Sequence, residues 1–365
     1  MTVSVLHAAQ PRDGGVAHYL VAGCLDQLSR GWRGAVACPD GGWLADELAR
    51  VGVPRLRWPA VRSPGPAAAG EAARLRSLVA QVRPDVVHLH ASKAGLAGRL
   101  RPFPRIPILF QPHGWSWLAV GGALRTASLA WERSAARRTD LLLCVGDGEA
   151  EQGRAQGVQG RYAVVRNGVD LSRFRPAFAD ARAGARHRLG VPAQVPLVVC
   201  PGRLTRQKGQ DVLLSAWPLI RSACPSARLA LLGDGDLAGR LRAAATPGVT
   251  FAGAVDDVRG WLAAADVVAL PSRWEGLSLT VLEAMATARP VVISDVPGLA
   301  EALGPGTGAA VPPGDPVLLA EAIAQRLLDP ARREAEGMAA AAHAVHFDMR
   351  RTFDHLAERT EAVLR

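Results

Sequence analysis

Short apolar runs recur along the chain at intervals typical of strands that alternate with helices. One series covers residues 4–8, 34–39, 85–90, 108–114, 140–146 and 162–168, and a second covers 197–202, 227–233, 249–253, 266–271, 290–295 and 308–313. Segments of helical character separate most of these runs, which predicts parallel sheets with helices on both faces. We therefore expect an α/β protein with two Rossmann-like, doubly wound domains that face each other across a cleft.

Length and composition indicate where the two domains divide. A chain of 365 residues is too long for one ordinary core, and segment 170–196 is rich in Pro, Arg and Ala, as a linker would be. The predicted domains are 1–172 and 173–346. A C-terminal helix at about 347–365 is expected to pack back on the first domain.

Composition limits the class of protein. No apolar run approaches the roughly 18 residues of a membrane span, and the N-terminus lacks the basic region of a signal peptide. Five scattered cysteines without a CxxC pair predict buried thiols in a reducing cytoplasm. These features favour a cytoplasmic protein.

The net charge of +10 is confined to the first half of the chain. Residues 1–178 hold 23 Lys and Arg against 13 Asp and Glu, whereas residues 179–365 hold 20 of each. A basic half predicts an anionic partner: a membrane surface, a nucleic acid or a phosphorylated acceptor. Only two tyrosines and seven phenylalanines argue against the stacking platforms of nucleic-acid binding.

The segment GRLTRQKG, from Gly202 to Gly209, follows a predicted strand and carries Arg203 and Lys208. Both cations could converge on a pyrophosphate near the start of the next helix. Of 43 basic residues only Lys93 and Lys208 are lysines, so a compact point charge is expected at these positions.

Two acids, Glu275 and Glu283, lie in EGLSLTVLE after another predicted strand. Eight helical positions rise about 12 Å, whereas glycosidase carboxyl pairs lie about 5 to 9.5 Å apart. The two acids are therefore expected to accept hydrogen bonds from different hydroxyls of one elongated ligand. Together with the two cations, they indicate a site for a nucleotide sugar.

Two glycine-rich turns are candidate ligand-binding motifs. Gly14 and Gly15 separate the first strand from a helix and would let backbone N–H groups approach an anion. The turn GDGDLAGRL has the wrong spacing and position for a dinucleotide fingerprint, so no NAD and no other cofactor is expected.

The succession GGV, HG, NGVDLSRFRP, GRLTRQKGQDVLL, LLGDGDL, VTFAGAVDDV and PSRWEGLSLTVLEAMATARPVVIS resembles a bacterial retaining glycosyltransferase of the GT-B fold, group 1, family 4 type. The resemblance covers nearly the whole chain. Thr287-Ala288 departs from the family, which commonly has Cys-Gly there; this difference should alter packing and not chemistry.

The resemblance implies a role for each motif. Arg203 and Lys208, beside Gly202, would bind the diphosphate of the donor, for example a UDP-sugar, and stabilise its departure. Glu283 would hold the ribose hydroxyls, and Glu275 would hold the sugar hydroxyls. The other implied donor contacts are Gly14 and Gly15, main-chain atoms at Val255, and the backbone N–H groups of Gly276, Leu277 and Ser278.

His113 is expected near the reacting sugar, either as a neutral hydrogen-bond donor, the preferred interpretation, or as a base. The resemblance otherwise assigns the acceptor proton to the departing phosphate, with retention of anomeric configuration. No acidic cluster resembles a DxD metal site; Asp256 and Asp257 are interpreted as a surface turn, and the reaction is expected to need no metal.

The acceptor end is predicted near the strand VVHLH. His88 and His90 share one face but have no third metal ligand in register, so core packing or hydrogen bonding to the acceptor is preferred to a metal site. The acceptor-binding candidates are His90, Ser92, Lys93 and Trp115. A basic, Trp-bearing segment at 114–138 is typical of either a membrane-surface helix or a core-facing helix.

These features favour a lipid-linked saccharide acceptor and an enzyme that is peripheral at the inner face of the membrane. A soluble acceptor, such as a natural product or an aminoglycoside, is the first alternative. A GT-B sugar-nucleotide epimerase or phosphorylase is the second.

Overall fold

The computed structural model describes residues 2–62, 65–101, 103 and 105–365. Internal contacts divide the chain into a first unit, Met1–Arg166 with Thr352–Arg365, and a second unit, Asn167–Arg351. These divisions lie a few residues from the predicted ones at 172 and 346. Both units are α/β, as the sequence predicts.

The described strands and helices alternate along the chain. The strands are β1 Ser4–Ala9, β2 Arg33–Cys38, β3 Arg55–Arg57, β4 Val86–His90, β5 Ile108–Gln111, β6 Leu141–Cys144, β7 Tyr162–Val164, β8 Leu197–Pro201, β9 Arg228–Leu232, β10 Val249–Gly253, β11 Val267–Leu270, β12 Val291–Ser294 and β13 Gly308–Val311. The helices are α1 Gly15–Ser29, α2 Trp43–Arg50, α3 Ala68–Val82, α4 Ala91–Leu100, α5 Gly122–Ala135, α6 Asp147–Ala155, α7 Ala179–Arg188, α8 Gln210–Ala223, α9 Ala238–Ala243, α10 Arg259–Ala264, α11 Leu279–Ala286, α12 Pro297–Ala300, α13 Pro316–Leu328, α14 Pro330–Ala344 and α15 Met349–Leu364.

The first unit contains a parallel sheet of seven described strands in the order β3-β2-β1-β4-β5-β6-β7. All six strands predicted for this half are present. The short strand β3 was missed because its sequence, Arg-Leu-Arg, has no apolar run and stands at the edge of the sheet. Central strands such as β1 and β4 are fully buried, as expected for a parallel sheet covered on both faces.

The last helix, α15, returns to the first unit and packs on α1. The ring of Phe353 lies 5.5 Å from that of Tyr19, measured between centroids. A β-carbon at Gly23 would come within 3.2 Å of the same phenylalanine, so a small residue at this position lets the two helices approach. Thr352 Oγ1 also donates a hydrogen bond to the Arg166 carbonyl at 2.8 Å.

The second unit contains a parallel sheet of six described strands in the order β10-β9-β8-β11-β12-β13, and all six were predicted. Its core is centred on β8, β11 and α8, where Trp217, Leu213 and Ile220 are fully buried. All five cysteines of the chain are buried free thiols, as the sequence predicts.

Strand order reverses once in each sheet. The chain passes from β1 to β2 on one side and later places β4 on the other side; in the second unit, β9 and β11 flank β8 in the same way. At such a switch point the loops after the two central strands diverge and leave a crevice at the strand carboxyl ends. The pairs β1/β4 and β8/β11 therefore mark where each unit can bind a ligand.

A buried ion pair connects α4 to α5 in the first unit. Arg99 Nη2 lies 2.7 Å from Glu132 Oε2, and both side chains are almost completely inaccessible. The Arg99 guanidinium also stacks over the Phe110 ring at 3.6 Å and donates to the Gly95 carbonyl.

We predict that Arg99→Met destabilises the protein by about 3–5 kcal/mol, because it leaves the Glu132 carboxylate buried without its cation. The double variant Arg99→Met, Glu132→Leu should recover much of this loss. Urea unfolding measures both, and Arg50→Met, which removes the exposed pair with Glu47, is the control. A double variant no more stable than the single one would contradict the prediction.

Candidate functional site

The loop after β8 contains two glycines whose φ angles other residues rarely adopt, and one of them packs against the backbone after β11. Gly209 has a φ of 67°, and a β-carbon there would lie 2.0 Å from the Pro271 carbonyl oxygen at the end of β11. Gly202 has a φ of 149° and lies against the methylene chain of Lys208. These approaches press the loop after β8 against the end of β11, at the switch point of the sheet.

At this contact Lys208 and Glu275 form an ion pair. The ammonium nitrogen Nζ lies 2.5 Å from Glu275 Oε1, and both side chains are largely withdrawn from solvent. Ser272 donates a hydrogen bond to the same carboxylate oxygen at 2.8 Å, and Gln207 Nε2 donates to the other oxygen at 3.2 Å. The structure thus brings together a cation and an acid that the sequence assigns to phosphate and sugar.

This arrangement holds the Lys208 ammonium group in place without using all of its N–H donors. An ammonium group has three N–H bonds, and Glu275 accepts one of them. Arg203, two residues after β8, is exposed. Lys208 therefore keeps N–H donors at the edge of the sheet where β8 and β11 end, and Arg203 lies exposed in the same loop.

The backbone of residues 276–278 is held from two sides. Asn167 Nδ2 donates to the Leu277 carbonyl at 2.6 Å. A β-carbon at Gly298 would lie 2.3 Å from the Gly276 carbonyl oxygen, so only a glycine lets α12 approach this loop so closely. Ser278 immediately precedes α11, which begins at Leu279, and its side chain makes no capping hydrogen bond. Asn167 was quoted in a sequence motif but had no assigned role.

The sequence estimate of the spacing between the two acids was wrong in its premise. Helix α11 covers only Leu279–Ala286, so Glu283 is helical but Glu275 lies in the preceding loop. A rise of about 12 Å along one helix therefore does not apply to this pair. Glu275 is bound to Lys208, whereas Glu283 has a different environment.

Glu283 is a half-buried acid with a perturbed protonation equilibrium. Burial raises the pKa of its carboxyl group to about 7, Arg173 opposes this shift, and Asp257 adds to it. Asp257 itself accepts a bidentate interaction from Arg259 at an exposed turn, as expected for Asp256 and Asp257 from the sequence. The predicted base contact at Val255 is half-buried in the segment between β10 and α10.

In the first unit, the predicted glycine turn lies at the β1/β4 switch point. Gly14 has a φ of 83° and precedes α1, which begins at Gly15. A β-carbon at Gly14 would meet no atom within 4 Å, so the helix start faces open space. Both properties suit the approach of a ligand to backbone N–H groups.

Strands β1 and β4 also bring a third histidine to the predicted pair. His7 is opposite His88 in the parallel register, and ring nitrogens of His7, His88 and His90 lie within 4.8 Å of one another. The sequence expectation of no third residue in register was therefore wrong. His90 Nδ1 lies 3.1 Å from His113 Nε2, which links the cluster to the residue expected near the sugar.

His113 has a strained backbone conformation. Its φ of 51° lies in the left-handed region, and Gly114 follows with a φ of 100°. Glu149, buried in the first turn of α6, accepts hydrogen bonds from the N–H groups of Gly114 and Val145 and so holds this turn. Such conformations in non-glycine residues cost about 1–3 kcal/mol and cluster at functional sites. Glu149 was not singled out from the sequence.

Two residues assigned to the acceptor are instead structural. Lys93 Nζ lies 2.6 Å from Glu71 Oε2, and both side chains are buried. Trp115 is 1% exposed, stacks on Trp117 with ring centroids 4.6 Å apart and donates to the Glu149 carbonyl. Their burial removes the basis for direct acceptor contact. Ser92, in the first turn of α4, remains partly accessible.

Burial likewise divides the segment at 114–138. Trp115, Trp117 and Leu129 belong to the core, as the core-facing interpretation of this segment predicts. Residues 121–127 are exposed, with Leu124 at 65%. Within the described residues, no helix has both the length and the hydropathy that crossing a membrane would require.

Comparison with known proteins gives the class. The family model described as "Glycosyltransferase Family 4" matches residues 13–173, and that described as "Glycosyl transferases group 1" matches residues 195–329. The Anabaena HepE structure in complex with UDP and glucose superposes with a TM-score of 0.85 over 99% of this chain and 100% of that one; at 22% identity it supports the fold.

Two relatives are similar to this chain over most of its length. A GDP-mannose-dependent monoacylated alpha-(1-6)-phosphatidylinositol monomannoside mannosyltransferase of Corynebacterium glutamicum is 31% identical over 79% of this chain and 78% of its own. A D-inositol 3-phosphate glycosyltransferase of Kineococcus radiotolerans is 33% identical over 72% of this chain and 68% of its own. The chain belongs to the group 1, family 4 glycosyltransferases, has the GT-B fold and acts on a nucleotide sugar.

The environment of Glu283 generates a stability prediction. A carboxyl group whose folded pKa is raised stabilises the fold below its unfolded pKa and loses that contribution as pH rises through the folded value. Wild-type melting temperature should therefore fall relative to Glu283→Gln, which stays neutral, as pH rises from about 5 to about 7, and the difference should level off above that pH. Exposed Glu334→Gln is the matched control; a constant difference across this pH range would contradict the assignment.

Proposed function

We propose that this protein transfers a sugar from a nucleoside-diphosphate donor to a hydroxyl of a lipid-linked, phosphorylated saccharide, with retention of anomeric configuration and without a metal. The observation that carries the proposal is the Lys208–Glu275 pair at the β8/β11 switch point. The family-implied donor contacts at Gly202, Val255, Gly276, Leu277, Ser278 and Glu283, with Gly14 and Gly15 of the first unit, belong to the same proposal.

Charge development supports the roles of the two cations. As the sugar–phosphate bond breaks, negative charge grows on the leaving diphosphate and positive charge grows on the anomeric carbon. Lys208 and Arg203 would stabilise the negative charge on the phosphate. The two cations would thus take the role that a divalent metal plays at other diphosphate sites. Glu275 keeps the Lys208 ammonium in place and would turn its carboxylate edge towards sugar hydroxyls.

The proposed path of the proton follows from the engagement of Glu275. This carboxylate already accepts hydrogen bonds from Lys208, Ser272 and Gln207, which makes it a poor nucleophile and a poor base. The departing phosphate oxygen would instead take the proton of the acceptor hydroxyl on the same face of the sugar. Attack and departure on one face give retention.

The acceptor proposal rests on charge and on the relatives. The first half of the chain has ten more basic than acidic residues, which suits a phosphorylated acceptor. The two relatives are named for a phosphatidylinositol mannoside and for inositol 3-phosphate, so their acceptors share an inositol phosphate. We accordingly place GDP-mannose and phosphatidylinositol mannosides first among substrates to be tested.

The inositol 3-phosphate relative favours a second candidate, a soluble phosphorylated polyol acceptor. Natural-product or aminoglycoside acceptors, and an epimerase or phosphorylase activity, have no comparable support. Assays with inositol 3-phosphate, and with donor alone, separate these functions from transfer to a lipid.

The donor site gives the first functional prediction. Lys208→Ala should lower kcat about 10²–10³-fold because a preorganised charge at the leaving group is lost, whereas Arg206→Ala, which removes an exposed cation in the same loop, should have little effect. Nucleoside-diphosphate release over a panel of UDP- and GDP-sugars measures the rates.

The same assay tests the mechanism. Activity should persist in excess EDTA, and proton NMR of the first-formed product should show the anomeric configuration of the donor. Loss of activity on chelation, an inverted product, or equal effects of the two substitutions would each contradict the mechanism proposed here.

We further propose that the enzyme is peripheral at the inner face of the membrane, where helix α5 exposes Leu124, Arg125 and Arg133 and the turn after it exposes Arg137. Leu124→Glu should reduce flotation with anionic vesicles, whereas Leu219→Glu, at a leucine 48% exposed in the second unit, should not. Binding should weaken in high salt. Flotation that neither salt nor Leu124→Glu reduces would refute the membrane contact.

A further inference from the structure

A chain of hydrogen bonds connects Gln27 of α1 to His113 through two buried histidines. Gln27 Oε1 lies 2.9 Å from His7 Nε2, His7 Nδ1 lies 3.0 Å from His90 Nε2, and His90 Nδ1 lies 3.1 Å from His113 Nε2. Gln27, His7 and His90 are each at most 2% exposed, whereas His113 is half-buried. The chain of contacts thus runs from the interior to an accessible residue.

Each histidine of this chain is neutral at physiological pH. Burial lowers the pKa of His7 to about 4, and burial also lowers the pKa values of His90 and His113. A neutral imidazole has one N–H donor and one acceptor nitrogen. Each ring in the chain must therefore donate on one side and accept on the other, so all the bonds point in the same direction.

Gln27 sets that direction. Its Oε1 is a carbonyl oxygen and can only accept, so His7 donates from Nε2 and keeps a lone pair on Nδ1. His90 must then donate from Nε2 to His7, and it keeps its own lone pair on Nδ1. His113 donates from Nε2 to His90 in the same way.

We propose that Gln27, His7 and His90 are positioning residues that fix the tautomer of His113, so that its Nδ1 accepts a hydrogen bond from a hydroxyl of the donor sugar. The contact with the sugar rests on the proposed function, but the tautomer does not. This polarity is opposite to the sequence expectation that His113 donates to the sugar. It would select a ligand that presents a hydroxyl group over one that presents only an acceptor.

A metal ion at the same histidines is the competing interpretation, since their nitrogens lie within 4.8 Å of one another. Such an ion would need a lone pair on one ring nitrogen of His7 and on one of His90, and every one of these nitrogens is already in a hydrogen bond. His7 Nδ1 and His90 Nε2 are 3.0 Å apart and bonded to each other through one proton, and the outer nitrogens of both rings are engaged as well. The hydrogen bonds and a metal are mutually exclusive, so metal analysis separates them.

The tautomers can be observed without any substrate. Long-range proton–nitrogen correlation spectra of full-length protein labelled with nitrogen-15 histidine distinguish a protonated ring nitrogen from one with a lone pair. We expect His7, His90 and His113 to carry their protons on Nε2, with the His113 signals assigned from His113→Ala. A proton on His113 Nδ1, or zinc bound stoichiometrically to the purified protein, would overturn the proposal.

Substitutions at Gln27 then test the function of the chain. Gln27→Glu retains an acceptor facing His7 and should keep both the tautomers and the activity. Gln27→Met has a similar size but no acceptor; it should give mixed tautomers and lower kcat/KM for transfer about tenfold, the value of one hydrogen bond. Inhibition by the nucleoside-diphosphate product should be unchanged, and exposed Gln81→Met is the control.

A purely structural role for Gln27 predicts the reverse order. Methionine packs well in a core, whereas a buried glutamate is costly, so Gln27→Met would then be the better variant. That order, or unchanged tautomers in Gln27→Met, would overturn the proposal. A wild type with the expected tautomers but no transfer activity would instead refute the proposed function alone.

Discussion

The reversal of strand order in each parallel sheet is the constraint on which the candidate sites depend. Because β8 is flanked by β9 and β11, and β1 by β2 and β4, the loops that leave the central strands separate at their carboxyl ends. Residues that are distant in sequence meet there. Lys208 meets Glu275 at one reversal, and His7 meets His90 at the other.

Close contacts between backbone atoms fix the positions of the loops at these switch points. At Gly209 and Gly298 a β-carbon would lie 2.0–2.4 Å from neighbouring carbonyl oxygens, so close main-chain packing helps to hold the loops after β8 and β11. A charge positioned in this way needs no reorganisation when a ligand becomes charged, which is the condition for strong electrostatic stabilisation. The same constraint explains why glycines recur at the turns of this unit.

Features that depend on residues close together in sequence could be predicted from the sequence. Apolar runs located every strand of the second sheet, and the glycine turns marked the loops that matter. Strand β3 was not predicted because an edge strand of Arg-Leu-Arg lacks an apolar run. The position of His7 beside His88 was not predicted because this strand pairing joins residues 81 positions apart. Burial was also not predictable from the sequence: Trp115 is in the core, although it was assigned to acceptor binding.

The two lysines show how structure changes the meaning of a sequence signal. Their retention among 41 arginines suggested compact charges for phosphates, yet each forms a close contact with a glutamate: Lys93 with Glu71 at 2.6 Å and Lys208 with Glu275 at 2.5 Å. A guanidinium fork requires more space and a bidentate partner, whereas an ammonium fits a confined, single-oxygen contact. The limited space around each contact therefore explains why lysine, and not arginine, stands at both positions. A role at phosphate remains for Lys208 alone, because its half-buried position beside the crevice leaves donors that the fully buried Lys93 does not offer to a ligand.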